Sequence, residues 1–221
     1  LDDSERRLEY YETAGSKILL VIFNGWLGDR ERLSDTDIFV EFCVERGMSL
    51  LRFNDPIGAE SCFMRNASGK MDGNFISERI AEKRGDNVEV IGLSMSAGAV
   101  GLINSLHCFT SFVLCSPASY AGFKKAAEMG SRIENCKFSE NLQRLRDGDI
   151  SSRGLYHVSR FNSSDMLLAS SFRGSKSLDF TEHLTQIHLV IHYFLQKGVF
   201  VEEMEKSIMH VSETFRASRK A

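Results

Sequence analysis

Long apolar runs are missing from this sequence, and so are clusters of like charge. No stretch reaches the ~18 consecutive apolar residues that a membrane-spanning helix requires. The basic residues are dispersed along a chain of net charge −3, which excludes a basic stripe for nucleic acid and a polybasic membrane patch. Residues 1–7 are charged and lack the pattern of a signal peptide. These absences predict a protein that neither spans a membrane nor binds nucleic acid.

Paired cysteine motifs are also lacking. The five cysteines are odd in number, and no two of them have the C-x-x-C spacing. Cys43, Cys108 and Cys115 lie in apolar segments, so we interpret them as buried free thiols in a reducing compartment. A cytoplasmic location is therefore predicted, and the sequon at Asn66 then has no role in glycosylation.

The motifs that bind nucleotides and metals are absent as well. No G-x-G-x-x-G follows the first predicted strand, and no P-loop lysine follows a glycine run. His188 and His192 have the spacing of a helical metal-binding pair, but no Glu completes an H-E-x-x-H frame. The sequence predicts neither a cofactor nor a metal ion.

What the sequence does contain is an alternation of apolar strands and helices, which predicts a doubly wound, mostly parallel α/β sheet of about six or more strands. The length of 221 residues and the apolar content of 43% suit a single domain over 1–221. Strands are predicted over 18–23, 49–53, 88–91, 112–115, 154–159 and 177–180. Helices are predicted over 37–46, 74–84, 96–106, 165–172, 183–196 and 201–217.

Two segments interrupt this alternation and are candidate walls of a substrate pocket. Residues 61–73 form a predicted loop that carries Phe63, Met64 and Met71. Residues 120–153 are predicted as two short helices, a short cap-like insertion. The final amphipathic helix, 201–217, has an apolar stripe that serves as a packing face or as a homodimer contact.

The pentapeptide Gly92-Leu93-Ser94-Met95-Ser96 is the most informative local pattern. It follows the apolar run 88–91 and precedes a helix that starts with small residues. Strand, sharp turn and helix are the context of a G-x-S-x-G nucleophile elbow, which predicts Ser94 at the tip of the turn. Ser96 is then the small residue that permits the turn. The alternative is that Ser94 simply caps the helix.

From about Lys17 to Gly198, the order of these features resembles the α/β-hydrolase superfamily, in particular a small, nearly capless serine hydrolase. In that family the nucleophile follows a central strand, an acid follows a later strand, and a histidine follows the last strand. The resemblance implies the same fold here and a catalytic triad in the order Ser, Asp, His.

His183 is the predicted general base, because it comes just after the last predicted strand. His188 and His192 are the alternatives, but both fall inside the predicted helix 183–196. Asp165 is the predicted orienting acid, since it follows the strand 154–159. Its alternative role is in the cap of the next helix, and Asp179 is the alternative acid. The span of 18 residues from Asp165 to His183 is short for a helix and a strand.

The resemblance also implies an oxyanion hole made of two backbone N–H groups. The first is that of Met95, the residue after Ser94. The second is that of Trp26, in the loop after the first strand, where Asn24-Gly25 replaces the His-Gly pair usual in the family. We also expect Trp26 to line the acyl pocket, with ordinary packing of the loop as its alternative role.

These residues predict a serine hydrolase that cleaves a carboxylic ester or thioester through an acyl-enzyme. The substrate is then a small molecule or an acyl-carrier-linked ester. An acyltransferase would use the same triad. The alternative from a different class is a catalytically inactive binding or scaffold protein, because Ser96 and Asn24 depart from the family pattern.

Overall fold

The computed structural model describes residues 8–24, 34–54, 72–117, 120–188 and 190–218. Its strands are β1 (Leu8–Tyr11), β2 (Ile18–Phe23), β3 (Ser49–Phe53), β4 (Glu89–Ser96), β5 (Ser111–Pro117), β6 (Arg153–Ser159) and β7 (Leu178–His183). Its α-helices are α1 (Ser34–Glu45), α2 (Phe75–Arg84), α3 (Ala99–Asn104), α4 (Tyr120–Gly130), α5 (Phe138–Asp147), α6 (Ser163–Ser170), α7 (Val190–Lys197) and α8 (Phe200–Ser218).

The strands form one sheet in the order β1-β3-β2-β4-β5-β6-β7. β1 is antiparallel to β3, and the strands from β3 to β7 are parallel to their neighbours. This architecture confirms the predicted doubly wound, mostly parallel sheet. β1 was not predicted, because a short edge strand with half-buried and exposed residues has no apolar run to mark it.

The core lies on both faces of the sheet. Side chains of β2 alternate between the two apolar clusters: Leu19, Val21 and Phe23 face α2 to α6, while Leu20 and Ile22 face α1, α7 and α8. A strand covered on both faces must be apolar at every position, which explains the continuous run in β2. Each fully buried aliphatic or aromatic side chain stabilises the fold by about 1.5–3 kcal/mol.

Helices α4 and α5 occupy the segment predicted as a cap-like insertion. They contribute Phe123, Phe138, Leu142 and Leu145 to the core cluster, and α5 packs against α3. The rings of Phe123 and Phe138 meet edge to face at 5.5 Å. The apolar residues of this segment therefore serve the core on one face of the sheet.

Helix α8 covers the opposite face. Its apolar stripe, which includes Met204, Ile208 and Val211, is buried against the sheet of the same chain. Glu89, at the start of β4, fastens the far end of this helix by accepting hydrogen bonds from Ser212 and Arg216. The stripe thus packs within the same chain, which is the first of the two roles predicted for it; the other was a homodimer contact.

The strand β4 is the main departure from the predicted boundaries. It continues to Ser96, whereas the apolar run suggested an end near Ile91. Gly92 inside it makes room for neighbours, because a Cβ there would lie 3.1 Å from side-chain carbons of Leu102 and Phe109. Since β4, β6 and β7 run in parallel, the segments that follow them leave from the same edge of the sheet.

Two negative findings apply to the part of the chain that the structure describes. None of its helices combines the length and the apolarity needed to cross a membrane. Within the same residues, no three His, Cys, Asp or Glu side chains come together in a way that could hold a metal ion.

Candidate active site

Ser94 lies inside β4 and not at a turn. It pairs with Phe23 of β2 and Leu114 of β5. Its side chain is 0% exposed, and its hydroxyl has no hydrogen-bond partner among the described residues. The prediction that Ser94 stands at the tip of the elbow is wrong, because β4 continues past Ser94 to Ser96, whereas the predicted strand ends at Ile91.

Ser96 occupies the tip instead. The N–H of Gly98 donates to the carbonyl of Met95 at 2.9 Å, which closes a four-residue turn with Ser96 and Ala97 at its centre. Ser96 has φ = 47°, in the left-handed region. For a residue other than glycine this backbone conformation costs roughly 1–3 kcal/mol and is concentrated at functional sites. The register between β4 and β5 also shifts at Met95 and Ser96.

Gly98 shows why a small residue is needed after this turn. A Cβ at Gly98 would lie 2.2 Å from the carbonyl oxygen of Phe23, so no side chain fits there. The strand, turn and helix therefore have Ser96 at the turn, with Ser94 and Gly98 as the small residues two positions before and after it. In the sequence, Gly98 two residues after Ser96 is the signal that Ser96 stands at the turn. The pattern that begins at Gly92 has Ser94 in the same position and favours the wrong serine.

Asp165 is placed by the segment that follows β6. The Asn162 side chain caps α6 by accepting hydrogen bonds from the N–H groups of Ser164 and Asp165. Asp165 is 1% exposed, and its carboxylate lies 2.6 Å from Nδ1 of His188. The predicted helix cap at this point is thus provided by Asn162, which leaves the Asp165 carboxylate available to the histidine.

The contact with Asp165 determines the tautomer of His188. An ionised carboxylate only accepts hydrogen bonds, so Nδ1 of His188 must carry the proton that lies between them. In the neutral imidazole, Nε2 is then the unprotonated nitrogen with a lone pair. This is the state that a general base needs.

His188 lies in an irregular segment and not in a helix. The predicted helix 183–196 begins seven residues later, at Val190 of α7, and β7 extends to His183. Residues 184–188 follow β7 without forming a helix and bring His188 to Asp165. The expectation that His188 and His192 share one helix face is wrong for this reason.

His183 has different surroundings from those predicted. Its Nε2 lies 2.8 Å from Nδ1 of His157, and its ring meets Phe194 edge to face at 5.0 Å. Burial lowers the pKa of His183. The predicted pairing of Asp165 with His183 is corrected: Asp165 contacts His188, because His183 is still part of β7 and points toward the face that α7 and α8 cover.

His157 and Ser207 form a Ser–His contact, but it lacks the hydrogen-bond pattern of a nucleophile and its base. His157 Nε2 lies 2.8 Å from Ser207 Oγ, and the Ser207 hydroxyl donates to the carbonyl of Glu203. Ser207 Oγ therefore accepts a hydrogen bond from the His157 Nε2–H, and its own O–H donates to Glu203 and not to the histidine. Burial lowers the pKa of His157 to about 3, helped by the nearby His183 and His210.

The remaining predicted residues fall into two groups. Asp179, the alternative acid, lies on β7 and contacts Nε2 of His210 at 2.8 Å. Trp26 lies outside the described residues, as do Phe63, Met64 and Met71 of the predicted pocket wall. Asn24, at the end of β2, is buried and donates to the side-chain oxygen of Asn54 at 2.5 Å.

The site thus belongs to a doubly wound α/β protein with its polar residues at the carboxyl edge of the sheet. No protein-family model matches the chain, and no curated protein matches its sequence. Solved structures do match. MenH from S. aureus is similar with a TM-score of 0.57 and 11% identity, over 95% of this chain and 99% of that one.

Two further structures are similar over most of their length. An esterase from Pyrococcus furiosus has a TM-score of 0.59 and 11% identity, over 92% of this chain and 85% of its own. An S-formylglutathione hydrolase from Agrobacterium tumefaciens has a TM-score of 0.56 and 9% identity, over 89% and 84%. The chain has the α/β-hydrolase fold, as the resemblance in its sequence implied.

Proposed function

We propose that this protein is a serine hydrolase that cleaves a carboxylic ester or thioester, with Ser96 as nucleophile, His188 as general base and Asp165 as the orienting acid. The observation that carries the proposal is the 2.6 Å contact between Asp165 and His188. These two residues follow β6 and β7 at the sheet edge where β4 ends in the strained Ser96. The assignment keeps Asp165 from the sequence and replaces Ser94 and His183.

The first chemical step requires an activated serine. His188 Nε2 accepts the Ser96 hydroxyl proton while Ser96 Oγ bonds to the substrate carbonyl carbon. The imidazolium that forms has its positive charge next to the Asp165 carboxylate, which stabilises it. Because the Asp165 side chain is buried, solvent screens this attraction less than it would at the surface.

The negative charge on the carbonyl oxygen needs backbone donors. With Ser96 as nucleophile, the N–H of the following residue belongs to Ala97, which replaces Met95 in this role. We keep the Trp26 N–H as the proposed second donor. His188 then protonates the leaving alcohol or thiol as the tetrahedral intermediate collapses, and water releases the acyl group from Ser96 by the same steps.

The similar structures support an ester or thioester as the substrate class. Two of the similar structures are those of an esterase and of an S-formylglutathione hydrolase. S-formylglutathione is a thioester, because its formyl group is bonded to sulfur. A small-molecule or acyl-carrier-linked substrate, a cytoplasmic location and a homodimer remain predictions from the sequence. Acyl transfer remains the alternative reaction of the same triad.

The alternative of an inactive scaffold loses two of its arguments. Ser96 is no longer a substitution at the second small position, since Gly98 fills that position. The short span from Asp165 to His183 no longer constrains the triad, because His188 is the residue that Asp165 contacts.

Labelling with a fluorophosphonate probe and hydrolysis of p-nitrophenyl esters and acyl thioesters test the proposal. Ser96→Ala should abolish labelling and reduce turnover by about 10³-fold or more. Ser94→Ala is the matched control and should retain both. If Ser94→Ala abolishes labelling while Ser96→Ala retains it, the nucleophile is Ser94. Folded wild-type protein that neither labels nor hydrolyses any of these substrates contradicts the proposal.

A second pair of variants tests the base. His188→Ala should reduce turnover of the same esters by orders of magnitude, because it removes the proposed general base for the Ser96 hydroxyl. His183→Ala removes a histidine that contacts His157 and should retain turnover in protein that remains folded. The reverse result would identify His183 as the base.

A further inference from the structure

The position of His188 depends on the segment 184–188, which carries it. It lies between β7 and α7 and has no regular secondary structure. A general base must be held in a narrow range of geometry, because a displacement of ~1 Å can cost about 10²-fold in rate. The contacts of this segment with the end of β6 supply the restraint.

Several hydrogen bonds hold the segment in place, among them the bond from the Thr185 N–H to the carbonyl of His183 at 2.8 Å. The N–H of Phe161 donates to the carbonyl of Thr185 at 3.1 Å. The Thr185 hydroxyl accepts from the N–H of Ile187 at 3.0 Å. The hydroxyl of Ser159, the last residue of β6, donates to the carbonyl of Ile187. The bond from Ser159 ends on the carbonyl of Ile187, which is directly bonded to the nitrogen of His188.

The carbonyl of Ile187 belongs to the same peptide unit as the nitrogen of His188. Because this unit is planar, the direction of the Ile187 carbonyl determines the direction in which the His188 backbone continues. Ser159 is 0% exposed, so water does not compete for its hydroxyl. A buried donor on a strand thus restrains the backbone that carries the imidazole.

Ser159 also contacts the segment that carries the acid. Its backbone carbonyl accepts a hydrogen bond from the N–H of Asn162 at 3.1 Å. Asn162 in turn caps α6 and accepts from the N–H of Asp165. The side chain of Ser159 is therefore hydrogen-bonded to the residue before His188, and its backbone is hydrogen-bonded to the residue that caps the helix of Asp165.

We propose that Ser159 is a positioning residue that sets His188 against Asp165. The inference rests on the proposed function, since it concerns the same triad. Ser159 itself takes no part in proton transfer. Its hydroxyl fixes the Ile187 carbonyl, and this keeps His188 Nδ1 in line with the Asp165 carboxylate.

The kinetic test compares Ser159→Ala with Ser111→Ala, using the p-nitrophenyl ester that the wild type turns over fastest. Ser111 is a matched control, because it is also 0% exposed and its hydroxyl has no partner among the described residues. Ser159→Ala should lower kcat by about 10- to 100-fold with KM unchanged, since no substrate contact is lost. Ser159→Thr, which keeps the hydroxyl, should recover part of kcat. Ser111→Ala should retain the wild-type kcat.

A measurement independent of turnover separates the positioning role from the proposed function. Proton NMR detects the Nδ1 proton that His188 shares with Asp165, assigned by its loss in His188→Gln. Ser159→Ala should broaden or shift this resonance, and Ser111→Ala should leave it unchanged. If the wild type hydrolyses nothing but Ser159→Ala alters the resonance, the positioning role stands and the proposed function fails. If Ser159→Ala leaves both kcat and the resonance unchanged, the positioning role is overturned.

Discussion

The carboxylate of Asp165 lies 2.6 Å from Nδ1 of His188, and almost none of Asp165 is exposed to solvent. A buried carboxylate is costly unless it accepts strong hydrogen bonds. The second carboxylate oxygen of Asp165 has no partner among the described residues. The contact with His188 is therefore the main compensation for burying this charge, and it orients the imidazole at the same time.

Asp165→Asn should lower kcat by about 10³- to 10⁴-fold with little change in KM. An amide can donate to Nδ1 as well as accept from it, which permits the tautomer with the proton on Nε2, and that tautomer cannot act as the base. Steady-state kinetics with an activated ester measure the effect. Asp179→Asn is the control, because Asp179 contacts His210 at the exposed surface. Equal losses in the two variants would contradict the role of Asp165.

Gly98→Ala should destabilise the protein by at least about 2 kcal/mol, as overpacking in a tight site does. The added methyl group would meet the backbone carbonyl of Phe23, which cannot move without disturbing β2. Urea denaturation measures the change in the free energy of unfolding. Gly174→Ala is the control, since a Cβ at Gly174 has no neighbour within 4 Å. A Gly98→Ala protein as stable as Gly174→Ala would mean that the turn has a different geometry.

The stability of the protein should fall as the pH is lowered from about 6.5 toward about 3, in part because of His157. Burial lowers its pKa in the folded protein to about 3 from the ordinary 6.5. Between these values the unfolded chain binds a proton at this residue and the folded protein does not, so acid favours unfolding. The slope for one such group is at most about 1.4 kcal/mol per pH unit. His183, whose pKa is also lowered, adds to it.

His157→Gln tests this pH dependence. The variant should be less stable than the wild type near neutral pH, because the contacts with His183 and Ser207 are altered. Its stability should also change less between pH 6.5 and pH 4. Chemical denaturation across this range, with the exposed His107→Gln as control, provides the comparison. A pH dependence as steep as that of the wild type would contradict the assignment to His157.

Arg216→Ala should destabilise the protein by about 1–2 kcal/mol, because a buried acceptor loses a charged donor. Arg216 donates to Glu89, which is buried at the start of β4 and is otherwise bonded to Ser212. Thermal unfolding measures the effect. Lys206→Ala on the same helix is the control, since its ion pairs with Glu202 and Glu203 are exposed and should matter little. A larger effect for Lys206→Ala would show that α8 is fastened elsewhere.

The strands with continuous apolar runs could be located from the sequence because both of their faces are buried. β2 has the predicted bounds for this reason. β3 also has the predicted bounds, although the buried Arg52 interrupts its apolar run. β4 could not be delimited in the same way. The predicted end at Ile91 is the point where the apolar run meets Gly92, whereas the hydrogen-bonded ladder continues through Ser94 to Ser96.

The start of the helix after β7 could not be delimited from the sequence either. Residues 184–188 and α7 follow one another without a proline or glycine to separate them. The pattern therefore extended the helix back to His183, and His188 was assigned to its interior. Only the pairing of β7 with β6, which ends at Ser159 and His183, shows where the strand stops and the irregular segment begins.

The sequence by itself determined the alternation of strands and helices, the doubly wound sheet and the order in which a serine, an acid and a histidine follow its strands. These depend on local hydrophobic patterns and on chain order. The tertiary structure alone decided which serine stands at the turn and which histidine meets Asp165. That choice depends on where a backbone ladder ends and on which side chains cross between segments, and neither is encoded in the polarity of neighbouring residues.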